Sequence, residues 1–405
     1  MRVLIARAAI VLVWLPAGAG AQIVSLTEAQ AVSRLSSESP RVQALRAAVD
    51  VARAEVLVAG RWPNPRVTLS REAVAGIAER YVTVAQPLPI TGRRGFEVDA
   101  ATARAEASAS RVDDQVRRLR ADLRMAYTNL WVAQTREREL ARSRDRLREL
   151  AQVLERREAA GEAAGFDRLR AEREVVDMDA ERAAAASERA RAQGDLVSFF
   201  ATATEGTIEA SGVGPPRVTL PTVEELVARA ETRPSFAALQ RESDAAAFAE
   251  RAAGRRGIPE PELVAGTKSS NSGAGDTGSI VSVHVSLPLF DRGRPERALA
   301  RARGSQARAE AEALRLIVRA QAAAWRAAAL ERRAIADRYR NAIGANAEQI
   351  ERIAQVSYEA GERGILELLD AHRIAASARV RQATLDAAAH EAEIELEFVS
   401  GWEMP

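Results

Sequence analysis

Two long stretches of this chain contain no proline. This feature constrains the fold more than any other. No proline lies between Pro89 and Pro215, or between Pro295 and the terminal Pro405. Because proline breaks helix interiors, both stretches are free to be helical throughout. Both are also rich in alanine, arginine, glutamate and leucine, which are strong helix formers. The sequence therefore predicts a mainly α fold.

A glycine pair interrupts each stretch near its middle: Gly161 with Gly165, and Gly361 with Gly364. Glycine commonly ends helices, so each stretch is predicted to form a long helix, a turn and a returning helix. The two predicted helical hairpins cover about residues 95–200 and 294–400.

Apolar residues recur every seven positions in the first stretch, which is the spacing of a coiled-coil seam. These positions are Leu119, Ala126, Ala133, Leu140, Leu147 and Leu154. A helix of roughly 65 residues rises about 1.5 Å per residue and would be about 100 Å long. The pattern thus indicates a long rod rather than a compact domain.

An internal repeat of about two hundred residues divides the chain in two. VTVAQPLPITGRRG, from Val82, aligns with VHVSLPLFDRGRPE, from Val283, and a P-x-P precedes each segment. Further along, AAGEAAGFDRLRAE, from Ala159, aligns with EAGERGILELLDAH, from Glu359. A fourth match comes first in each half: Pro40, Leu45, Asp50 and Gly60 recur at the same intervals as Pro234, Leu239, Asp244 and Gly254. Four matches in the same order predict two structural repeats. Their predicted bounds are 22–213 and 214–405.

Each repeat has room for one strand pair, over about residues 64–88 and 260–289, where apolar and polar residues alternate. Such segments are typical of a transmembrane barrel, although a soluble hairpin has the same pattern. Four strands cannot close a barrel, and open edges in lipid would leave backbone groups unsatisfied. If the strands span a bilayer, three copies would together supply twelve. A homotrimer is therefore a hypothesis from the strand count.

The first 21 residues have the order of a secretory leader. Arg2 and Arg7 precede a short apolar run, and the small-residue triplet 19–21 provides a cleavage site before Gln22. No later window reaches the ~20 apolar residues of a membrane helix. The mature chain is expected to be exported and to meet any membrane through β-strands.

Charge and cysteine content exclude several classes of protein. Of 58 basic residues, Arg2 and Arg7 lie in the leader, and the remaining 56 balance the 56 acidic residues. Balanced, interspersed charge argues against nucleic-acid binding. The chain has no cysteine, so it has neither a disulfide framework nor a lipoprotein acceptor.

These features together resemble the TolC family of outer-membrane factors over essentially the whole mature chain. The most diagnostic segment is Tyr358-Glu359-Ala360-Gly361-Glu362, followed by Leu368-Leu369-Asp370-Ala371. The resemblance implies a trimer in which a twelve-stranded β-barrel in the outer membrane continues as an α-helical barrel across the periplasm. It also implies docking to a periplasmic adaptor and an inner-membrane pump. Within the family, QPLPITGRRG most resembles the CzcC-type heavy-metal branch.

Glu367 and Asp370 are the candidate constriction residues. They are three apart, so they share one helical face. In a trimer, such a face would form a ring of carboxylates that favours cations and resists tight closure. The resemblance places this ring at the periplasmic mouth. The alternative is an ordinary solvated face.

The resemblance also implies an entrance latch, in which Tyr358 or Arg363 bonds to Asp167 or to a neighbouring helix. A surface ion pair is the alternative. Hairpin tips that meet the adaptor are predicted as well, although these residues also suit plain helix-turn chemistry. The tip residues are Gly161, Glu162, Gly361 and Glu362.

No catalytic constellation, metal cluster or cofactor motif is expected. The G-x-G-x-x-G match at 273–278 opens no predicted helix, so it is expected to be a hairpin loop. The predicted function is an efflux exit duct. The resemblance to the heavy-metal branch makes metal cations one candidate cargo, which the residues themselves neither support nor exclude. Drug or solute efflux, type I secretion and a soluble periplasmic scaffold are the alternatives.

Overall fold

The computed structural model describes residues 23–161, 165–201, 206–213, 218–273 and 276–403. The predicted leader and Glu162 lie outside these ranges.

The described chain is mainly helical with some sheet, as predicted. The helices are α1 (Glu28–Ser33), α2 (Pro40–Ala59), α3 (Arg93–Ala159), α4 (Gly165–Val197), α5 (Val223–Ala230), α6 (Pro234–Arg255), α7 (Arg294–Tyr339), α8 (Ala345–Glu359) and α9 (Ile365–Ser400). The strands are β1 (Ile23–Leu26), β2 (Arg66–Val74), β3 (Ile77–Pro87), β4 (Thr207–Ala210), β5 (Pro261–Ser270) and β6 (Thr277–Val285). A π-helical segment, Arg340–Gly344, separates α7 from α8 and has no counterpart in the prediction. None of the helices in the described ranges is long and apolar enough to span a bilayer.

Several helix starts follow from local chemistry. The Thr27 hydroxyl accepts a hydrogen bond from the Gln30 N–H, and the Gln30 side chain accepts one from the Thr27 N–H. Thr222 and Glu225 form the same capping box at α5. Proline stands at the first position of α2 and of α6, where its missing N–H costs no helical bond.

The chain divides into two compact units that interleave in sequence. The first unit comprises the described residues of Met1–Arg34, Ala126–Gly214 and Arg340–Ala387. The second comprises those of Leu35–Met125, Pro215–Tyr339 and Ala388–Pro405. Each unit draws on both halves of the sequence, so the units are a different division from the predicted repeats.

The first unit has a helical core that contains half of the heptad positions. Leu140, Leu147 and Leu154 are buried together with Met178 and Leu368. Ala126 and Ala133, earlier in the same heptad series, are only half-buried. The seven-residue spacing therefore coincides with buried residues in the later part of α3, but not in its earlier part.

Two buried polar side chains of α3 bind the parallel pair β1–β4, which joins residues far apart in sequence. The Tyr127 hydroxyl donates to the Leu26 carbonyl at 2.8 Å and accepts from the Ser211 N–H at 3.1 Å. The Gln134 amide donates to the Ile208 carbonyl at 2.5 Å and accepts from the Ala210 N–H at 2.9 Å. These bonds satisfy backbone groups at the edge of the two-stranded sheet.

In the second unit, a buried arginine holds the end of the last helix. Arg233, at the N-cap of α6, donates to the Val399 carbonyl at 2.9 Å and to both oxygens of Asp114 at 2.9 and 3.1 Å. Its guanidinium also lies 4.8 Å from the centre of the Phe398 ring. The arginine therefore links three segments that are distant in sequence.

The second unit also contains an antiparallel sheet with the order β2-β3-β5-β6. The β2–β3 turn places Ala75 and Gly76 at φ 52° and 86°, the left-handed region that a two-residue hairpin requires. The Asn271 side chain accepts from the Ala78 N–H at 2.6 Å, which connects this hairpin to the end of β5. The two hairpins of this sheet cover Arg66–Pro87 and Pro261–Val285, and the strand pairing in each continues to the turn.

Candidate functional site

The four-stranded sheet has one apolar face that is exposed in the single chain. Directly paired residues share a face, and the pairing Val67–Val84–Ala265–Val281 crosses all four strands. The next pairs along the sheet, Leu69–Val82 and Leu263–Val283, extend the same face. Leu69 and Val281 are 74% and 76% exposed, which is unusual for large aliphatic side chains in such a regular array. This face requires an apolar environment to cover it.

The opposite face of the sheet is polar. Lys268 on β5 forms an ion pair with Glu79 on β3 at 2.7 Å, and Tyr81 donates a hydrogen bond to the same carboxylate. Nearer the other end, Arg66 approaches Glu262 at 3.7 Å, and His284 is paired with Glu262 across the strands. The alternation predicted from single strands therefore extends over most of the sheet, and Val264 and Ile280 are apolar residues on the polar face.

Both edges of the sheet remain open. Within the described ranges, β2 pairs only with β3, and β6 pairs only with β5. An unpaired strand edge presents a row of N–H and C=O groups that is ready to pair with another strand. The sheet is thus incomplete both at its edges and on its apolar face.

Gly161 and Gly361, which follow α3 and α8 in the first unit, share one backbone conformation. Gly161 and Gly361 adopt φ 76° and 73°, and open space surrounds the position of a Cβ at either residue. In each turn the glycine N–H bonds to a carbonyl three residues back, that of Glu158 or of Tyr358. The left-handed backbone conformation, rather than crowding, is therefore what requires glycine here. Gly361 and Glu362 are exposed, as a docking tip would require.

Glu367 and Asp370 lie in the first turns of α9, and both are exposed. Leu368, between them, is only 1% exposed and belongs to the helical core of the first unit. The carboxylates consequently project from the side of α9 that does not pack in this unit. Within one chain they form no ring, because a ring needs further copies.

The three latch residues do not bond to each other within the chain. The Tyr358 ring packs against the helical core and lies 6.0 Å from the guanidinium of Arg157 on α3. In the described residues, the side chains of Arg363 and Asp167 make no ion pair or hydrogen bond, and Arg363 is exposed. The latch remains a prediction, and within one chain its charged members are available to other copies.

A buried charge cluster in the first unit was not predicted. The carboxylate of Glu351 on α8 forms ion pairs with Arg146 on α3 and with Arg379 on α9, the latter at 3.2 Å. Arg379 also lies 3.4 Å from Glu139, which is only 5% exposed. His372 completes the cluster, with its Nδ1 2.9 Å from the Glu351 carboxylate. Glu139 precedes the heptad residue Leu140, but sequence spacing alone does not show which partner a buried charge will have.

Burial lowers the pKa of His372 to about 4, and the positive charges of Arg146 and Arg379 act in the same direction. At neutral pH the ring is therefore uncharged, and its Nδ1–H can donate to Glu351. The described residues contain no group of three or more histidine or carboxylate side chains arranged to hold a metal ion.

A protein-family model described as outer membrane efflux protein matches residues 31–201 and 227–401. The chain is also similar to the cobalt-zinc-cadmium resistance protein CzcC of Cupriavidus metallidurans. The identity is 24% over 357 residues, which cover 88% of this chain and 85% of that protein.

Solved structures share the fold. A membrane protein from Pseudomonas aeruginosa superposes with a TM-score of 0.77 at 20% identity, covering 92% of each chain. The Campylobacter jejuni CmeC outer membrane channel superposes with a TM-score of 0.75 at 13% identity, covering 92% of this chain and 85% of that one.

Proposed function

Because the chain belongs to the outer membrane efflux protein family, we propose that it forms a homotrimeric exit duct for heavy-metal cations. In this proposal the duct receives its cargo from an inner-membrane pump through a periplasmic adaptor. Strands β2, β3, β5 and β6 of three copies form a twelve-stranded β-barrel in the outer membrane, and the long helices form an α-helical barrel in the periplasm.

The two-faced sheet with open edges is the observation that carries this proposal. Its strands contain 9, 11, 10 and 9 residues, and transmembrane β-strands contain about 9–11. The apolar face suits lipid and the polar face suits a water-filled lumen. Joining β6 of one copy to β2 of the next would satisfy both open edges and bring the strand number to twelve.

Similarity to a cobalt-zinc-cadmium resistance protein supports metal cations as the cargo. A duct passes its cargo without a permanent binding site, so a proposal of metal export requires no metal centre in this chain. The exposed carboxylates of Glu367 and Asp370 would form a ring in the trimer and attract cations at the periplasmic mouth. The turns at Gly161 and Gly361, with Glu362, are the proposed contact with the adaptor.

Planar-bilayer conductance of the purified mature protein tests the duct and its mouth together. We expect cation-selective channels in the wild type and reduced cation selectivity in the Glu367→Ala/Asp370→Ala variant. A matched control is Glu310→Ala/Glu312→Ala, which removes two exposed carboxylates from α7. Absence of conductance in protein taken from the membrane fraction would refute the duct. Unchanged selectivity in the first variant would refute only the carboxylate ring.

A further inference from the structure

Towards the hairpin turns the apolar face becomes polar: Leu69 and Val82 are followed across the sheet by Thr267 and Ser279, and the next row contains two arginines. Arg71 on β2 is paired directly with Arg80 on β3, two residues beyond the apolar pair Leu69–Val82. Because side chains alternate along a strand, both arginines lie on the apolar face, about 7 Å further towards the hairpin turn. The same row continues through Ser269 and Thr277 on the next two strands. All four side chains are exposed.

Acidic residues at this level lie on the opposite face. Glu72 and Glu79 follow and precede the two arginines in sequence, and they pair with each other across the strands. Glu79 is bound to Lys268 on the polar face. In the described residues neither Arg71 nor Arg80 has an ion pair, so alternation has separated each arginine from its acidic neighbour.

The paired arginines need an anion from outside the chain. Like charges directly opposite in a sheet are destabilising, and guanidinium groups bind phosphate oxygens in a bidentate manner. Ser269 and Thr277 would add hydroxyl donors in the same row. The positive charge, the neighbouring hydroxyl groups and the place of this row on the apolar face near the hairpin turns match a phosphate group at the end of a lipid.

We propose that Arg71, Arg80, Ser269 and Thr277 bind the phosphorylated headgroup of an outer-leaflet glycolipid. This inference rests on the proposed membrane position of the sheet, in which the hairpin turns face the exterior. A neighbouring copy of the chain is a weaker candidate than the lipid for the partner of these arginines. Its β6 would lie beside β2 in the trimer, and residues Thr277–Val285 contain no carboxylate to neutralise Arg71. Asp276, just before β6, accepts a backbone hydrogen bond from the Ser270 N–H at 3.0 Å, which places it opposite Ser270 on the polar face.

The test measures binding of bisphosphorylated lipid A, and of the same lipid after removal of its phosphates, to the purified full-length protein in a zwitterionic detergent. The variants are Arg71→Gln/Arg80→Gln and the charge-conserving Arg71→Lys/Arg80→Lys. The control, Arg173→Gln/Arg191→Gln, removes two arginines of α4 whose side chains are 83% and 87% exposed. Each basic residue beside an anionic lipid strengthens attachment about five-fold, so the glutamine variant should bind about 5- to 30-fold more weakly.

We expect the wild type to prefer the phosphorylated lipid, and we expect the lysine and control variants to retain most of that preference. Equal binding of both lipids by the wild type would overturn the proposal. So would full competition by inorganic phosphate at an equal phosphate concentration, which would indicate a site for free anions. A change of oligomeric mass in the glutamine variant without any lipid preference would assign the arginines to a contact between copies.

Conductance of the same preparations in phosphate-free lipid separates the two proposals. If the protein forms channels but binds the two lipids equally well, only the headgroup site is refuted. Loss of conductance in the wild type would refute the duct on which the site depends.

Discussion

The Nδ1 of His372 lies 2.9 Å from a carboxylate oxygen of Glu351, and both side chains are buried in the first unit. Arg146 and Arg379 contact the same carboxylate, so its charge is already neutralised. A neutral histidine fits this arrangement, whereas a protonated one would place a third positive charge in it.

The first prediction concerns the pH dependence of stability. The folded-state pKa of about 4 lies below the ordinary value of 6.5, so the folded chain resists a proton that the unfolded chain accepts. The contribution of the neutral His372 to the free energy of unfolding is therefore complete above pH 6.5, and it is lost as the pH falls towards 4. At pH 5 the loss should be about 2 kcal/mol. Thermal unfolding at pH 7 and pH 5 should show a smaller decrease in His372→Gln than in the wild type. The control His284→Gln should behave like the wild type.

Arg233→Met should strongly destabilise the second unit. The side chain is 6% exposed and neutralises Asp114, which is itself mostly buried. Removing one partner of a buried pair leaves an uncompensated charge and costs about 3–5 kcal/mol. Denaturant unfolding measures this loss, with the exposed Arg229→Met as control. Equal effects of the two substitutions would contradict the linking role of Arg233.

Tyr127→Phe should weaken the attachment of the β1–β4 pair to α3. The buried hydroxyl makes one donor and one acceptor bond, and its loss should cost about 1 kcal/mol. Hydrogen exchange should accelerate in residues 23–26 and 207–210. Tyr339→Phe is the matched control, and an unchanged exchange pattern in Tyr127→Phe would argue against the anchoring role.

The two faces of the sheet should differ in their tolerance of charge. Val281→Arg places a guanidinium on the apolar face, where lipid would make it cost about 2–4 kcal/mol near the bilayer centre. Ser282→Arg, one residue later, places the same group on the polar face. Urea titration of folding into lipid vesicles should show destabilisation only in Val281→Arg. Similar midpoints would contradict the assignment of the faces.

Arg363→Glu should make the channel leakier if the entrance latch joins different copies. The exposed Arg363 is free to meet carboxylates there, and charge reversal would replace attraction by repulsion. Single-channel conductance should rise. Arg191→Glu, also on an exposed surface, should have little effect, and unchanged conductance in Arg363→Glu would count against the latch.

The long helices and the glycines that follow them could be predicted because their causes are local. The absence of proline after Pro89 and after Pro295 permits uninterrupted helices, and α3 alone spans 67 residues. Gly161 and Gly361 occupy the left-handed conformation that their backbone turns require. Alternation along Val281 and Val283 likewise indicated a two-faced strand.

The candidate site could be predicted only in part. Glu367 and Asp370 were known to share a face from their spacing, but spacing does not show what that face meets. The buried cluster around Glu351 was missed because charged residues on a helix usually face solvent, and only packing reveals the exceptions.

The sequence by itself determined the elements, since proline, glycine and hydrophobic periodicity act over a few residues. Only the tertiary structure decided the partners: the contact of Glu351 with His372, the bonds from Tyr127 to β1, and the register that pairs Arg71 with Arg80. A hydrogen bond or an ion pair depends on distances between groups far apart in the chain, and those distances exist only after the chain has folded.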